Sequence, residues 1–354
     1  MEWTLESLLA AVKPGDKGAA EVAWKHWDAI AKPLRSLGLL EEDIVRIAAM
    51  QGTPDVRWGK KAVVVMCADN GVVEEGVTQT GQEVTAIVSE NMTRHDTSVC
   101  CMSSVAGADV FPVDMGVCRA LVPEVLDRCI RRGGTSNMTK EPAMTREECV
   151  RAILAGANLV SDLKEQGYGL IATGEMGIGN TTTSSAIVSV LLGCPVEEVT
   201  GRGAGLSTEG LARKISAIQR AVALNRPDPA DAIDVVHKVG GFDIAGLMGV
   251  FLGCAACRMP VLVDGFISAA SALAAVRLCP AVGDYLLASH VSKEPAGEMI
   301  LKALHLRPLI RADMCLGEGS GAVAAMPLLD MGLAVYRSMT TFEATHIESY
   351  VPQS

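Results

Sequence analysis

Residues 167–186 combine glycines, an acidic residue and a run of hydroxyl groups in an order that predicts a phosphate-binding turn. The spacing predicts a short apolar strand over 170–172, a glycine-rich turn over 174–179 and a helix that begins at Asn180 or Thr181. Glycine lets the backbone take positive φ and approach a ligand closely. The start of a helix offers free N–H groups and the positive end of the helix dipole, which together attract a phosphate group.

This stretch, which we call the phosphate turn, departs from the common phosphate-binding motifs. A Walker loop continues into Gly-Lys-Ser/Thr, whereas Asn180 and Thr181 follow Gly179 here, and G-x-x-G-x-G replaces the dinucleotide motif G-x-G-x-x-G. Glu175 lies inside the turn and would repel a phosphate unless its carboxylate has another task, such as binding a sugar hydroxyl. A tight strand-to-helix turn without a ligand is the alternative that the glycines alone leave open.

Acidic residues stand beside glycine at the ends of successive predicted strands and after the final turn of the chain. They are Asp69, Asp114, Glu175, Asp264 and Glu318. Ligands of open α/β sheets bind beyond the carboxyl ends of the strands, so we expect these carboxylates to surround one crevice that also contains the phosphate turn. Helix capping is the alternative explanation for each single acid.

A crevice with one phosphate turn and several carboxylates favours a sugar phosphate as the ligand and glycosyl transfer as the reaction. An oxocarbenium-like ribose is cationic, and surrounding carboxylates lower its energy. Transferases that release pyrophosphate usually need a pair of acids to hold magnesium, and the sequence contains no such acidic run. This pattern indicates a neutral or pyridinium leaving group.

The elements that must position these residues alternate between strand and helix. Strands are predicted over 61–67, 109–113, 170–172, 259–263 and 285–288. Helices are predicted over 18–51, with a break at Pro33, and over 85–91, 145–165, 182–192, 209–224, 268–278 and 322–338. Because the strands are continuous apolar runs, this order predicts an α/β fold with a parallel sheet covered by helices on both faces. The tail after Thr340 is polar and is predicted to be loose.

The composition argues against some classes of binding partner. The chain of 354 residues carries a formal net charge of −10, which argues against nucleic acid and anionic membranes as partners. The N-terminus lacks the basic segment of a signal peptide, and no apolar run reaches the roughly 20 residues that span a bilayer. We therefore expect a cytoplasmic protein.

Cys254 and Cys257 have zinc-like spacing without a second pair, and they are predicted to share an apolar helix face rather than to bind a metal.

Eight sequence segments, in this order and spacing, are together specific enough to identify a family. They are Lys32-Pro-Leu-Arg-Ser-Leu-Gly, Gly71-Val-Val-Glu-Glu-Gly-Val, Gln82-Glu-Val-Thr, Gly134-Thr-Ser-Asn, Gly174-Glu-Met-Gly-Ile-Gly-Asn-Thr-Thr, Gly241-Phe-Asp, Pro260-Val-Leu-Val-Asp-Gly-Phe and Leu316-Gly-Glu-Gly-Ser-Gly. With this set the chain resembles the nicotinate-nucleotide:dimethylbenzimidazole phosphoribosyltransferase family over nearly its whole length. The resemblance implies a Rossmann-like sheet, a small helical domain built from both chain ends, and a homodimer. We accordingly expect a large α/β domain over 56–325 and a small domain formed by 1–55 and 326–354.

The resemblance also implies a glycosyltransferase of the pentosyltransferase class that acts in cobalamin biosynthesis without a metal or cofactor. Its substrates would be β-nicotinate mononucleotide and a lower-ligand base such as 5,6-dimethylbenzimidazole, and its products the α-ribosyl 5′-phosphate nucleotide and nicotinate. Glu318 would be the general base, taking a proton from one ring nitrogen while the other nitrogen attacks the ribose. Its place between glycines, near Leu316 and Met314, independently predicts a raised pKa.

The matched motifs also imply binding residues. Lys214 would add positive charge at the phosphate, although a solvated helix lysine is its plain alternative. Asp243, Asp264 and Ser292 are candidates for lining the ribose and nicotinate side. The phosphate and ribose would be held by Glu175, Met176, Gly177, Ile178, Gly179, Asn180 and Thr181, and the base would be bound by Thr78, Thr80, Gln82 and Leu316.

The base pocket departs from the family pattern. Asn70 stands where members often have histidine, Thr80 replaces an aromatic ring and Gly81 replaces a proline. The sequence therefore leaves the preferred base open among dimethylbenzimidazole, adenine and phenolics.

Two other functions compete with this one. A paralogous subunit of a heterodimeric phosphoribosyltransferase that activates phenol or p-cresol stays open because the pocket is altered, although an intact Glu318 opposes an inactive subunit. A nicotinamide-dependent oxidoreductase would need the G-x-G-x-x-G motif, which is missing.

Overall fold

A computed structural model of the chain describes residues 2–348 and Tyr350. It contains a six-stranded sheet in which every strand pairs in parallel with its neighbours, in the order β3-β2-β1-β4-β5-β6. The strands are β1 (Lys60–Ala68), β2 (Ala108–Gly116), β3 (Leu126–Asp127), β4 (Tyr168–Met176), β5 (Val261–Val263) and β6 (Leu286–Ala288). The chain winds outward from β1 in one direction and from β4 in the other, so the switch point of the sheet lies between these two strands.

The central strands are buried on both faces, which explains why they are continuous apolar runs. Residues 62–68 of β1 are all buried, and β4 is buried over 170–175. The β-branched residues Val63, Val64 and Val65 favour the extended backbone and pack against the helices that cover the sheet. These strands therefore form the rigid base from which the site residues extend.

Helices connect the strands and cover the sheet. In chain order they are α1 (Leu5–Ala11), α2 (Lys17–Ala29), α3 (Leu39–Gln51), α4 (Glu83–Thr93), α5 (Ser98–Ala106), α6 (Arg146–Glu165), α7 (Asn180–Leu192), α8 (Val196–Val199), α9 (Thr208–Asn225), α10 (Ala232–Val239), α11 (Phe242–Ala256), α12 (Phe266–Leu278), α13 (Gly297–Ala303), α14 (Ser320–Ser338) and α15 (Phe342–Thr345). Short 3₁₀ helices span Gly71–Glu75 and Pro280–Tyr285. No helix among the described residues combines the length and the apolar character that crossing a bilayer requires.

Local signals in the sequence account for several helix boundaries. Thr145 and Glu148 form a capping box at the start of α6, in which each side chain accepts a hydrogen bond from the other residue's backbone N–H. The left-handed glycines Gly52 and Gly193 end α3 and α7. The run of Gly, Ala, Leu and Met in α11 is buried over nearly its whole length, as its apolar composition predicts.

Residues near the two ends of the described part of the chain contact each other. The N–H of Ala31 donates to the carbonyl of Thr340 over 3.0 Å, and the rings of His26 and Trp27 lie 4.5 and 5.1 Å from that of Tyr336. Buried Lys32 forms a 2.6 Å ion pair with Glu41 in the same region. The division at residues 55 and 325 stays a prediction.

The structure confirms the predicted α/β fold and each predicted strand and helix, and it corrects two details. The strand of the phosphate turn does not end at 172, because Gly174 and Glu175 continue to pair with β1 as far as Met176. The true turn is therefore short, over 177–179. The prediction of a loose tail is wrong for α15, whose start is capped by Thr341; residues 349 and 351–354 lie outside the described part.

Candidate active site

A cavity of about 290 Å³ opens at the carboxyl edge of the sheet, beyond β4, β5 and β6. It is the place where the topology predicts a ligand. Thirteen of the predicted site residues line it, and these are Thr78, Thr80, Glu175, Met176, Gly177, Ile178, Gly179, Asn180, Thr181, Asp264, Ser292, Leu316 and Glu318. The other three are Gln82, Lys214 and Asp243. Lys214 donates to Thr181 and Asp243 accepts from Asn180, both of which line the cavity, whereas Gln82 donates to the carbonyl of Asn70.

The phosphate turn presents a helix N-terminus to the cavity. Gly179 takes φ +96° and is the N-cap of the 13-residue helix α7, which begins at Asn180. Ile178 is anchored from outside, because its N–H donates to the hydroxyl of Thr85 over 3.1 Å. The positive end of the helix dipole therefore faces a space large enough for a small anion.

Asn180 joins two buried carboxyl groups. Its side-chain Nδ2 donates to Glu175 Oε2 and, over 2.9 Å, to Asp243 Oδ2. Burial raises the pKa of Glu175 to about 8, with nearby Asp243, Asp264 and Glu318 adding to the shift, and Asn180 opposing it. Burial likewise raises the pKa of Asp243 to about 6. Glu175 therefore holds its proton at pH 7 and is able to donate a hydrogen bond into the cavity.

Lys214 is fully buried rather than solvated. Its Nζ donates to the hydroxyl of Thr181 over 2.8 Å and to the carbonyl of Gly201 over 3.1 Å. Burial lowers the pKa of Lys214 to about 8, and the carboxylate of Glu294 works in the opposite direction. The lysine thus lies one hydroxyl group behind the start of α7, where its charge adds to the helix dipole.

Glu318 stands on a turn of three successive residues with positive φ. Gly317, Glu318 and Gly319 have φ values of +92°, +61° and +93°, and two of these positions suit glycine alone. The Glu318 side chain is half-buried, and its Oε2 accepts the N–H of Val99 over 3.2 Å. Burial and the carboxylate of Asp264 raise its pKa, while the Val99 N–H opposes the rise. The raised pKa predicted from the neighbouring residues is thus confirmed.

Asp264 fixes that turn. Its Oδ2 accepts the N–H of Gly319 over 3.2 Å, and its Oδ1 accepts the N–H of Ala322 over 2.9 Å, which caps α14. Burial raises the pKa of Asp264, and His290, whose Nδ1 lies 3.9 Å from Oδ1, opposes the rise. Asp264 therefore has both a cavity-lining and a structural role.

Part of the cavity wall is apolar. Leu316, two residues before Glu318, is 57% exposed, and Val88 of α4 and Thr80 also line the cavity. Thr78 Oγ1 donates to the carbonyl of Thr80 over 2.8 Å, which shapes the loop. Gln82 does not point into the cavity, because its Nε2 donates to the carbonyl of Asn70 over 3.1 Å.

The expectation that five strand-end acids surround the crevice is wrong for two of them. Asp114 forms a 2.7 Å ion pair with Arg132 and also accepts the N–H of Gly116. Asp69 accepts the N–H of Cys118 over 2.6 Å. Both carboxylates hold the loop after β2, which neither the crevice expectation nor the helix-capping alternative predicts.

Some residues of the cavity wall were not predicted from the sequence. His290 follows β6, and its position at a strand end is a signal that could have found it. Arg202, Gly203 and Glu294 lie on loops that carry no motif, so only the fold brings them to the cavity. Within the described ranges, no group of three or more His, Cys, Asp or Glu side chains is arranged to hold a metal ion.

The sheet order, the switch-point cavity and the helix N-terminus beside buried carboxyl groups define a Rossmann-like enzyme that handles a phosphorylated ligand. The chain matches the sequence profile of the phosphoribosyltransferase family over residues 12–347. It is 48% identical to the nicotinate-nucleotide–dimethylbenzimidazole phosphoribosyltransferase of Acetivibrio thermocellus, over 95% of this chain and 96% of that protein. The corresponding Escherichia coli (strain SE11) protein is 44% identical over 97% and 96% of the two chains.

A solved structure supports the same assignment. CobT from Thermus thermophilus superposes on this chain with a TM-score of 0.89 and 40% sequence identity, covering 94% of this chain and 100% of the other. The chain therefore belongs to the nicotinate-nucleotide–dimethylbenzimidazole phosphoribosyltransferase family.

Proposed function

We propose that this enzyme transfers phosphoribosyl from nicotinate mononucleotide to a lower-ligand base, 5,6-dimethylbenzimidazole or an analogue, in cobalamin biosynthesis. The observation that carries the proposal is the half-buried Glu318 in a partly apolar cavity that also contains the phosphate turn. The names of the relatives support these two substrates. They give no support to the alternative of a paralogous subunit that activates phenol or p-cresol.

The nucleotide phosphate is held by the phosphate turn in this proposal. The N-terminus of α7 supplies N–H groups and dipole, and Lys214 supplies a positive charge through Thr181. Ser292 and Gly203 line the same cavity and add a hydroxyl group and a close backbone approach. These contacts fix the substrate by its non-reacting end, so that binding energy positions the ribose.

The carboxyl groups stabilise the ribose as its bond to nicotinate breaks. Positive charge develops on the anomeric carbon and ring oxygen, and the carboxylate of Asp264 lies in the wall that faces them. Glu175, which holds its proton at pH 7, donates a hydrogen bond to a ribose hydroxyl, while Asn180 and Asp243 orient it.

The chemical step is a displacement with inversion. One ring nitrogen of the base attacks the anomeric carbon from the α face, and the C–N bond to nicotinate breaks on the β face. The bonding electron pair moves to the pyridinium nitrogen, so nicotinate leaves without a charge on its ring. Glu318 accepts the proton from the second ring nitrogen of the base, which keeps the product nucleotide neutral at the ring; such a general base contributes roughly 10²–10⁴-fold.

The resemblance supports further parts of the proposal. We propose a homodimer that works in the cytoplasm, with a small domain built from residues 1–55 and 326–354 and a large domain over 56–325. The preferred base is proposed to be dimethylbenzimidazole, as the relatives' names indicate. A cavity wall with Thr80 and Leu316 offers apolar contact without an aromatic ring at residue 80.

A base panel tests the proposal. Purified protein is incubated with nicotinate mononucleotide and, separately, dimethylbenzimidazole, adenine, phenol or p-cresol, and both nicotinate and the new nucleotide are quantified. We expect equal amounts of the two products with dimethylbenzimidazole and no nicotinate release without a base. The absence of a ribosylated product with every base would refute the proposed function of the isolated chain.

A further inference from the structure

The fold holds His290 in a defined position beside the cavity, but the proposed reaction gives this residue no role. It lies two residues after the end of β6, and its imidazole is buried and lines the cavity. The ring rests on the first turn of α14, where a Cβ on Gly321 would lie 1.9 Å from Nδ1. Any side chain at residue 321 would therefore displace the ring, so the glycine keeps this space for the imidazole.

The hydrogen bonds of Ser289 determine which ring nitrogen carries the proton. The Ser289 hydroxyl donates its only hydrogen to the carbonyl of Val263 over 2.6 Å. Its oxygen also lies 3.1 Å from His290 Nδ1, and this contact is a hydrogen bond only if Nδ1–H is the donor. The carboxylate of Asp264, 3.9 Å from Nδ1, favours the same tautomer. In the neutral ring, Nε2 then carries a lone pair.

Nε2 is left for a ligand. It makes no hydrogen bond to any residue in the described part of the chain, and it lies beside Gly265, where a Cβ would be 3.5 Å from Nε2 and 3.8 Å from the Cβ of Ser292. Gly265, His290 and Ser292 all line the cavity. The neutral imidazole therefore offers a fixed hydrogen-bond acceptor to this part of the cavity.

The surroundings of His290 indicate which part of a nucleotide it faces. On one side, Asp264 connects it to the turn of Glu318, where the anomeric carbon reacts in the proposed function. On the other side, the chain continues to Glu294, whose side chain lies against Gly201 beside the buried Lys214. In a nucleotide, the ribose ring lies between the reacting anomeric carbon and the phosphate, so the ribose is the part that His290 faces.

We infer that His290 binds the substrate through Nε2, which accepts a hydrogen bond from a ribose hydroxyl of the nucleotide. This inference rests on the proposed function and adds a binding residue to it. The phosphate and the nicotinate carboxylate only accept hydrogen bonds when ionised, whereas the ribose hydroxyls are donors that an acceptor at Nε2 complements. A hydrogen bond to a sugar hydroxyl that strengthens at the transition state also accelerates glycosyl transfer.

The test is a double-mutant cycle between the side chain and the substrate hydroxyls. kcat/KM is measured with nicotinate mononucleotide and with its 2′-deoxy and 3′-deoxy analogues, for the wild type, His290→Asn and His290→Gln. Asparagine keeps a donor near Nδ1 and removes the acceptor at Nε2, whereas the longer glutamine restores an acceptor. Ratios within the cycle cancel the intrinsic reactivity of each deoxy analogue.

We expect His290→Asn to lower kcat/KM for the parent nucleotide roughly 5- to 10-fold, and to have no effect with the one analogue that lacks the bound hydroxyl. His290→Gln should recover part of that coupling. If the effects on kcat/KM of His290→Asn and of the missing hydroxyl are additive for both analogues, the assignment of His290 is overturned. Equal KM values of the wild type for all three nucleotides would also overturn it, and this result does not depend on the folding of any variant. Failure of the wild type to use the parent nucleotide would instead refute the proposed function.

Discussion

The carboxylate of Asp264 accepts the backbone N–H of Gly319 over 3.2 Å, and it thereby holds the residue next to Glu318. The turn needs this anchor because Glu318 itself takes φ +61°, a conformation that costs a non-glycine residue roughly 1–3 kcal/mol. A second hydrogen bond from Ala322 ties the same carboxylate to the start of α14. The position of the proposed general base thus depends on a buried acid from a different strand.

Replacing Asp264 with asparagine tests this dependence. The asparagine would keep one acceptor but present an N–H to one of the two backbone donors, so we expect kcat/KM to fall by about 10- to 100-fold and the free energy of unfolding to fall by about 1–3 kcal/mol. Asp114→Asn is the matched control, because Asp114 is also a buried strand-end acid but pairs with Arg132 outside the cavity. The two variants should lose stability alike and differ in activity; full activity of Asp264→Asn would contradict the account.

The Asn180 amide donates hydrogen bonds to both Glu175 and Asp243. We therefore expect a substitution of Asn180 to change how the free energy of unfolding depends on pH. Because burial raises the pKa of both acids, to about 8 and about 6, the folded state holds protons that the unfolded state has released, and stability falls as pH rises from about 4 to 8. Asn180→Asp adds a third carboxyl group and should steepen this fall. The free energy of unfolding is measured with urea at pH 5 and at pH 8. An equal loss of stability between these two pH values in the variant and the wild type would disprove the interpretation that Asn180 is shared by the two acids.

Lys214 is expected to supply charge for phosphate binding. Lys214→Met should raise KM for nicotinate mononucleotide at least about 10-fold at pH 7, because it removes a buried cation near the phosphate. In the wild type, KM should increase as pH rises through about 8, where the buried amine loses its proton, and this dependence should vanish in the variant. Lys140→Met, which removes an exposed lysine paired with Glu74, is the control and should leave KM unchanged.

Asp43 in α3 is a buried acid far along the chain from the phosphate turn, and it is expected to destabilise the protein above neutral pH. Its Oδ2 has no hydrogen-bond partner among the described residues, and burial raises its pKa to about 7. The unfolded chain releases this proton near pH 4, so the stability penalty begins there and is complete above about pH 7. Asp43→Asn should therefore raise the free energy of unfolding by about 1–3 kcal/mol at pH 8 and much less at pH 4.

Glu42→Gln is the comparison for that measurement, because the Glu42 side chain is 42% exposed and pairs with Arg307 over 2.9 Å. This variant should change stability by less than about 1 kcal/mol at either pH. A stabilisation by Asp43→Asn that is the same at pH 4 and pH 8 would show that the charge of Asp43 is not the cause.

The order of strands and helices could be predicted from the sequence because each central strand is a continuous apolar run. The strand ends also placed Glu175 and Asp264 at one edge, since parallel strands share the edge at which they end, and Glu318 reaches the same cavity on the turn before α14. The sequence could not show that Arg132 pairs with Asp114, because this contact depends on how the loop after β2 folds back. The local sequence shows whether an acidic residue faces a ligand or holds a loop only when the residue that pairs with it is nearby in the sequence.

The contacts behind the cavity wall were the part that sequence could not predict. A solvated helix lysine is the plain alternative for Lys214 because lysine is mostly exposed in proteins, yet the residue is buried and donates to Thr181 and Gly201. His290 carries no motif, and its space depends on Gly321, which lies 31 residues further along the chain and packs against it only in the folded state. Long-range packing of this kind is set by the tertiary fold rather than by local propensity.

The central claim is that Glu318 removes a proton from the attacking base, and the most direct measurement is the rate of nucleotide formation by Glu318→Gln beside the wild type. Glutamine keeps the size and the contact with Val99 N–H but cannot accept the proton, so we expect kcat to fall by about 10²–10⁴-fold with KM for the nucleotide changed less than about 3-fold. Wild-type kcat should rise with pH through the raised pKa of Glu318, and this rise should be absent in the variant. A Glu318→Gln enzyme with unchanged kcat and the same pH profile would contradict the account.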